Sequence, residues 1–281
     1  MDAFVFLAVL AAAAFHAGWN ALLKLRLEPI VATALVAIAS GVVVIPWTVA
    51  TGPPDSAAWP YLLGSVAVHI VYYLTLAEAY RSGDLGQIYP IARGTAPLMT
   101  AALATVWLHE TPGIYGWAGI IVLAAGILLL AFKGGRTLEA FDARSVGFAL
   151  LTSLTITCYT LVDGLGARTA GSPAAYTAWL FLLSGGAMAV YAIVRVGPGI
   201  GSAFLANWKM AMAGAALSTA AYAIAIWAMT VAPIALVAAL RETSVLFAAL
   251  FGTLLLREPL LLVRVLAAFL VLAGALLVRM R

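Results

Sequence analysis

Along most of this chain apolar residues run almost unbroken for about twenty positions, and polar residues collect in short interruptions between the runs. With charges, Gly and Pro taken as punctuation, ten apolar segments emerge, at 4–23, 30–50, 60–80, 85–108, 114–132, 146–167, 173–195, 210–231, 234–256 and 260–280. About twenty helical residues cross a hydrocarbon core of roughly 30 Å. The segments are rich in Ala and Leu and do not alternate, which excludes a membrane β-barrel and predicts ten transmembrane helices. Only Ala232-Pro233 parts the eighth segment from the ninth. A proline, with no N–H to donate, suits a tight break there.

The segments also repeat. A shift of 148 positions lays Arg93 on Arg241, Thr95 on Thr243, Leu108-x-Glu110 on Leu256-x-Glu258, and Ala125-Gly126 on Ala273-Gly274. Nearer the start of each half the shift is 143, laying His16 on Tyr159 and Asn20 on Asp163. A longer connection at 196–207 absorbs the five-residue difference. Intramembrane arginines in register, each followed by a glutamate that ends its helix, point to duplication. Five helices per unit is an odd number, so the second copy inserts upside down. The expectation is an all-α membrane protein of two inverted five-helix repeats, 1–132 and 146–281, joined by 133–145.

Composition identifies the solvent. Of 281 residues 65% are hydrophobic and 9% charged, with a mean hydropathy of +1.09; soluble domains carry roughly 45–50% and about 25%. So much apolar surface needs lipid around it. The net charge of +4 would suggest nucleic acid in a soluble protein. Here basic residues sit singly at segment ends, as topology signals do, and no nucleic-acid partner is expected. One side collects Lys24, Arg26, Arg81, Lys133, Arg136, Arg144, Arg195, Lys209 and Arg257, the other Arg168, Arg279 and Arg281. The positive-inside rule then places both termini outside. A lone cysteine, Cys158, excludes an intrachain disulfide and a Cys-based metal site, and neither metal nor cofactor is expected. Met1-Asp2-Ala3-Phe4 lacks the basic start of a signal peptide, so the first segment reads as a retained helix. The chain has no HExxH, GxSxG or Walker motif, so neither an enzyme nor direct use of ATP is expected.

A charge at membrane depth costs a few kcal/mol, roughly 2.5–3.5 on insertion scales, and demands a partner or a watery cavity. Two readings of Arg93 and Arg241 stand side by side. Either guanidinium can grip a substrate carboxylate through its bidentate fork, or it can pair with Glu78, Asp163 or Glu242 and hold helices together. Duplication favours the second reading, because a scaffold is copied and a substrate is not symmetric. Polar stripes at helical spacing run through His16, Asn20 and Lys24 in the first segment and Thr155, Tyr159 and Asp163 in the sixth. The third offers Ser65, His69, Tyr73 and Tyr80 with Tyr72 alongside, and the eighth Tyr222 and Trp227. Such stripes face the bundle interior, lining a cavity or supplying interhelical hydrogen bonds; the histidines are proton carriers or helix contacts on the same two readings. Segments two, five, seven and ten are nearly all apolar and read as outer elements. Their Gly126, Gly185-Gly186 and Gly274 permit close approach. Gly197-x-Gly199-x-Gly201 follows no strand, so it reads as loop and not as a dinucleotide fingerprint.

Phe15-His16-Ala17-Gly18-Trp19-Asn20-Ala21-Leu22-Leu23-Lys24 resembles the first helix of the EamA branch of the drug/metabolite transporter superfamily. Tyr89-Pro90-Ile91-Ala92-Arg93-Gly94-Thr95-Ala96-Pro97, running to Glu110, is similar to its fourth. Tyr159-Thr160-Leu161-Val162-Asp163-Gly164 and Arg241-Glu242-Thr243-Ser244 resemble its sixth and ninth. The resemblance covers the whole chain. It implies a secondary transporter of the bacterial inner membrane, a monomer acting on a small molecule by alternating access, most like the YddG-type amino-acid exporters. A multidrug or other metabolite transporter (sugar, nucleotide-sugar, phosphonate) of the same fold is the alternative. The resemblance also implies cytoplasmic termini, against the charge count. The substrate-binding candidates are His16, Trp19, Asn20, His69, Tyr72, Tyr73, Glu78, Tyr80, Arg93, Tyr159, Asp163, Tyr222, Trp227, Arg241 and Glu242.

Overall fold

The structure, a computed structural model, describes residues 1–23, 29–82, 85–132, 142–256 and 262–280. Lys24, Arg26, Lys133, Arg136, Arg257, Glu258 and Arg281 lie outside the described residues, as do the side chains of Tyr80 and Arg81. The helices are α1 (Ala3–Leu23), α2 (Pro29–Val43), α3 (Ile45–Thr51), α4 (Trp59–Ser82), α5 (Leu85–Trp107), α6 (Gly113–Leu129), α7 (Ala143–Thr169), α8 (Pro173–Val196), α9 (Gly199–Val231), α10 (Ile234–Arg241), α11 (Ser244–Leu256) and α12 (Leu262–Arg279). Among the described residues there is no strand.

Among the described residues eight stretches are long and apolar enough to cross a membrane; α6 is apolar too but only 17 residues long. With α5, whose 23 residues include Gln87 and Arg93, they account for the ten expected segments. The second segment is two helices, α2 and α3, because Pro46 cannot donate to the carbonyl four residues back. The ninth is also two, α10 and α11, parted at Glu242-Thr243. The expected break before it is present: Ala232 leaves the helix at φ −140, ψ 160, and Pro233 caps α10.

One expectation fails. The stretch 196–207, read as a connection, is mostly helix, since α9 starts at Gly199 and runs 33 residues. The true link is Gly197-Pro198, where Gly197 takes φ 85, a backbone region that glycine enters freely. At Asn207 (φ −120, ψ 17) the chain kinks, so 199–206 is a short helical piece set before the longer run that ends at Val231. Ala203-Phe204-Leu205-Ala206, rich in Ala and Leu, favours helix in this stretch.

Packing follows the duplication. α4 lies along α7 and its counterpart α9 along α1; α5 packs on α7, and α10 and α11 on α1. α2 meets α8, and α6 meets α12, each with its own counterpart. Exchanging the halves returns each of these pairings, as a pseudo-twofold requires. Lipid gives little hydrophobic drive between helices, so contact depends on close approach. A Cβ on Gly274 would lie 2.6 Å from Leu123 N, one on Gly126 2.9 Å from Ala267 O, and one on Gly185 2.8 Å from Gly41 Cα. Gly186, also expected to permit close approach, has open space beside it and takes no part. Between α5 and α7, Ser153 donates to Ala92 O at 2.8 Å and Thr157 to Ala96 O at 3.2 Å. At the polar start of α7, Asp142 accepts from Ser145 N (2.8 Å) and Oγ (2.9 Å); these bonds hold its carboxyl below the usual carboxylate range.

Candidate functional site

Arg93 projects from α5 toward the α10–α11 break. Pro97 follows it by one turn and cannot donate to the Arg93 carbonyl, so the helix is locally open where it meets the break. Across the interface Glu242 places Oε2 2.8 Å from Arg93 Nε, both side chains about 6% exposed. The break itself favours this pair of residue types. Arg241 ends α10, where the dipole attracts a cation, and Glu242 leads into α11, where it attracts an anion.

The two arginines, equivalent in register, have different surroundings. Arg93 is neutralised by Glu242 and directs Nη2 to His16 Nε2 at 3.4 Å. Arg241 sits over the Tyr222 ring, 4.8 Å from its centroid, and has no ion pair with a carboxylate among the described residues. Arg93, Glu242 and Arg241 line a small enclosed space with Ala96, Pro97, Thr100, Ile156, Tyr159, Thr160 and Ala238. It has room for about one water. The central cavity expected between the halves is therefore closed in this conformation, with the ion pair occupying it.

Aromatic side chains continue the wall. His69 stacks on Tyr159 at 4.4 Å and 22°, held by Ser65, whose carbonyl and hydroxyl lie 2.9 and 3.2 Å from Nδ1. Tyr72 and Tyr222 meet the Tyr159 edge at 5.8 and 6.4 Å, and Tyr73 packs beside Tyr72 at 5.2 Å. Trp19 Nε1 points at His16 Nδ1 (3.3 Å), while Asn20 donates to the His16 carbonyl (2.8 Å). A neutral imidazole has one acceptor nitrogen, so His16 accepts from Arg93 or from Trp19, not from both.

The remaining candidates stand apart. Glu78 lies at the end of α4, where Arg144 reaches it at 2.7 Å from a largely exposed position. Trp227 turns to Phe4 on the lipid side, their rings 5.8 Å apart. Asp163 is fully buried behind Tyr222 and does not line the enclosed space. It accepts from Tyr222 and, at 2.9 Å, from Tyr176. Tyr176 comes from α8, a segment read as purely an outer element. Its position within an apolar run was the signal that could have found it. Glu110 likewise read only as a repeat marker. It pairs with Arg168 and accepts from Ile234 N at 3.1 Å, capping α10, while Arg168 donates to Met229 O (2.8 Å) and Ala232 O (3.2 Å). These contacts tie the ends of α7 and α9 and the start of α10 to the link between α5 and α6, at the end that carries the chain termini.

The family model of EamA-like transporters matches residues 3–132 and again 143–280. No curated protein matches the chain. Among solved structures, one titled "Crystal structure of protein" is similar over 98% of this chain and 94% of its own, at 16% identity and a TM-score of 0.75. That likeness bears on the fold alone.

Proposed function

The chain belongs to the EamA-like transporter family, and from that premise we propose that it exports small metabolites bearing a carboxylate and an apolar or aromatic tail, amino acids first. The setting is a bacterial inner membrane, and the two halves rock about the centre to open one face at a time. The observation that carries this reading is the inequality of the arginines. Arg93 is ion-paired with Glu242, whereas among the described residues Arg241, at the same wall, has no ion pair of its own and lies against the face of Tyr222. A planar, always-charged guanidinium without a carboxylate is ready for a bidentate one. Glu242 lines the same space for an ammonium group, and Tyr159, Tyr72 and Tyr222 supply an apolar surface for the tail.

The test is uptake into liposomes by purified protein, against a panel of amino acids, cationic drugs and sugars. Arg241→Gln should raise the KM for amino acids about ten- to a hundred-fold, the loss of one charge-assisted contact, in a protein that still inserts. Normal amino-acid transport by Arg241→Gln refutes the carboxylate grip. Transport of cationic drugs alone would move the assignment to a multidrug carrier built around Glu242.

A further inference from the structure

The proposed grip leaves one buried acid unused. Asp163 lies under two turns from the C-terminal end of α7, with no exposed surface. Tyr176 of α8 donates to Oδ1 and Tyr222 of α9 to Oδ2. His69 of α4 faces it from the ring stacked on Tyr159. The turn at Ser56–Ala58 offers only Asp55, which lies against Gly171 past the helix end. The ion pair of Arg93 with Glu242, and Arg241 beside it, act on the rings of Tyr159 and Tyr222 from the other side. Among the described residues no lysine or arginine pairs with Asp163. A carboxylate buried in lipid with no lysine or arginine beside it, facing His69 and bonded by Ser65, Tyr176 and Tyr222, is costly while charged, and taking a proton relieves that cost. The register-equivalent position in the first half carries Asn20, which cannot titrate, so the duplication leaves one acid and not two.

We propose that Asp163 is a proton-binding site coupled to the substrate carboxylate through Tyr222, so that one proton travels with each substrate. Tyr222 touches both ends of the device, its hydroxyl on Asp163 and its ring under Arg241. While Asp163 is ionised it holds the Tyr222 hydroxyl, and the ring stays against the guanidinium. When a proton from water forms an O–H bond on Asp163, that oxygen becomes a donor. Tyr222 then turns acceptor or leaves, and Arg241 is freed for the incoming carboxylate. Charge acts in the same direction, because an anion enters more readily once Asp163 is neutral. By linkage the bound carboxylate strengthens proton binding equally. Export then proceeds only where the substrate gradient exceeds the proton gradient, as in an overflow valve.

This rests on the carboxylate reading, and the experiment separates the two. Full-length protein is placed in liposomes with a pH-sensitive dye in the lumen, the membrane potential clamped, and phenylalanine as probe. Uptake by the wild type should acidify the lumen. An inward proton gradient of one pH unit should sustain accumulation up to about tenfold. Asp163→Asn should carry whatever phenylalanine it carries without proton movement and without accumulation. Proton-coupled transport by Asp163→Asn, or wild-type transport with an unchanged lumen, overturns the proposal. Infrared titration decides the matter if the variant does not insert, or if the wild type carries no carboxylate at all. A carbonyl band of a buried carboxylic acid should grow on acidification and move in Tyr176→Phe. Absence of that band, or indifference to Tyr176→Phe, overturns the proposal.

Discussion

Two arginines that occupy equivalent places in the repeat have diverged in role, and the difference lies in a single neighbour. Glu242 neutralises Arg93 in a pair that water barely reaches. Breaking a buried pair by removing one partner costs about 3–5 kcal/mol, because the other charge is left uncompensated. Arg93→Gln should therefore lower the Tm of detergent-purified protein sharply, and Arg93→Gln with Glu242→Gln should recover most of the loss. Arg241→Gln should leave the Tm close to wild type, since the cation–π contact it gives up is worth only about 0.5–2 kcal/mol. Equal destabilisation by the two single changes would mean that Arg241 is structural as well. Arg93 and Arg241 were both evident in the sequence as intramembrane charges, and Glu242 was one of three candidate partners. The choice among Glu78, Asp163 and Glu242 was not legible, since it depends on which helix faces α5 and not on any local spacing.

Two helix breaks fall where a backbone donor is missing, at Pro46 and Pro233, and helices touch closely where side chains are missing, at Gly41, Gly119, Gly185 and Gly274. At the α6–α12 seam a Cβ on Gly274 overlaps the Leu123 backbone at 2.6 Å and the Gly119 carbonyl at 2.7 Å, and backbone cannot rotate aside. Gly274→Leu should destabilise the fold by about 1–3 kcal/mol or more through overpacking, read as a lower Tm. Gly186→Leu, on the open side of α8, should change the Tm little. A large loss from Gly186→Leu would mean that its face is covered by something, a second copy or a tightly held lipid.

The closed end and the charged end of the bundle together give the molecule its direction. Glu110 joins Arg168 and the start of α10, so the end carrying the termini is locked. Glu110→Gln removes a charge-assisted contact worth about 1.5 kcal/mol, which shifts an open–closed equilibrium roughly tenfold. In a protein lacking Cys158, the buried Met229→Cys should then react about tenfold faster with a water-soluble maleimide, by the same population shift. An unchanged rate would show that Glu110 does not hold the gate. The charge excess on the opposite face predicts that this locked end faces outward. A green-fluorescent fusion at the C-terminus should accordingly stay dark in cells, and a bright one would set the family's usual orientation above the charge rule.

The apolar run lengths, the odd number of helices per repeat and the matched Arg and Glu positions determined the ten-helix inverted duplication. Each follows from chain geometry and from lipid's inability to satisfy backbone or charge, and neither depends on a partner distant in sequence. The break at Pro233 and the contacts at Gly126, Gly185 and Gly274 were legible for the same reason; the breaks at Pro46 and at Glu242-Thr243, and the helical stretch after Gly197, were not. Tertiary structure alone decided which polar residues meet. Tyr176 reaches Asp163 from a helix that looked like lining for lipid, Arg168 finds Glu110 58 positions away, and Trp227 turns outward while Tyr222, on the same helix, turns in. Helix rotation is set by the whole packed interface. A few degrees of it move a side chain from lipid to the centre, a choice that no stripe of residue types records.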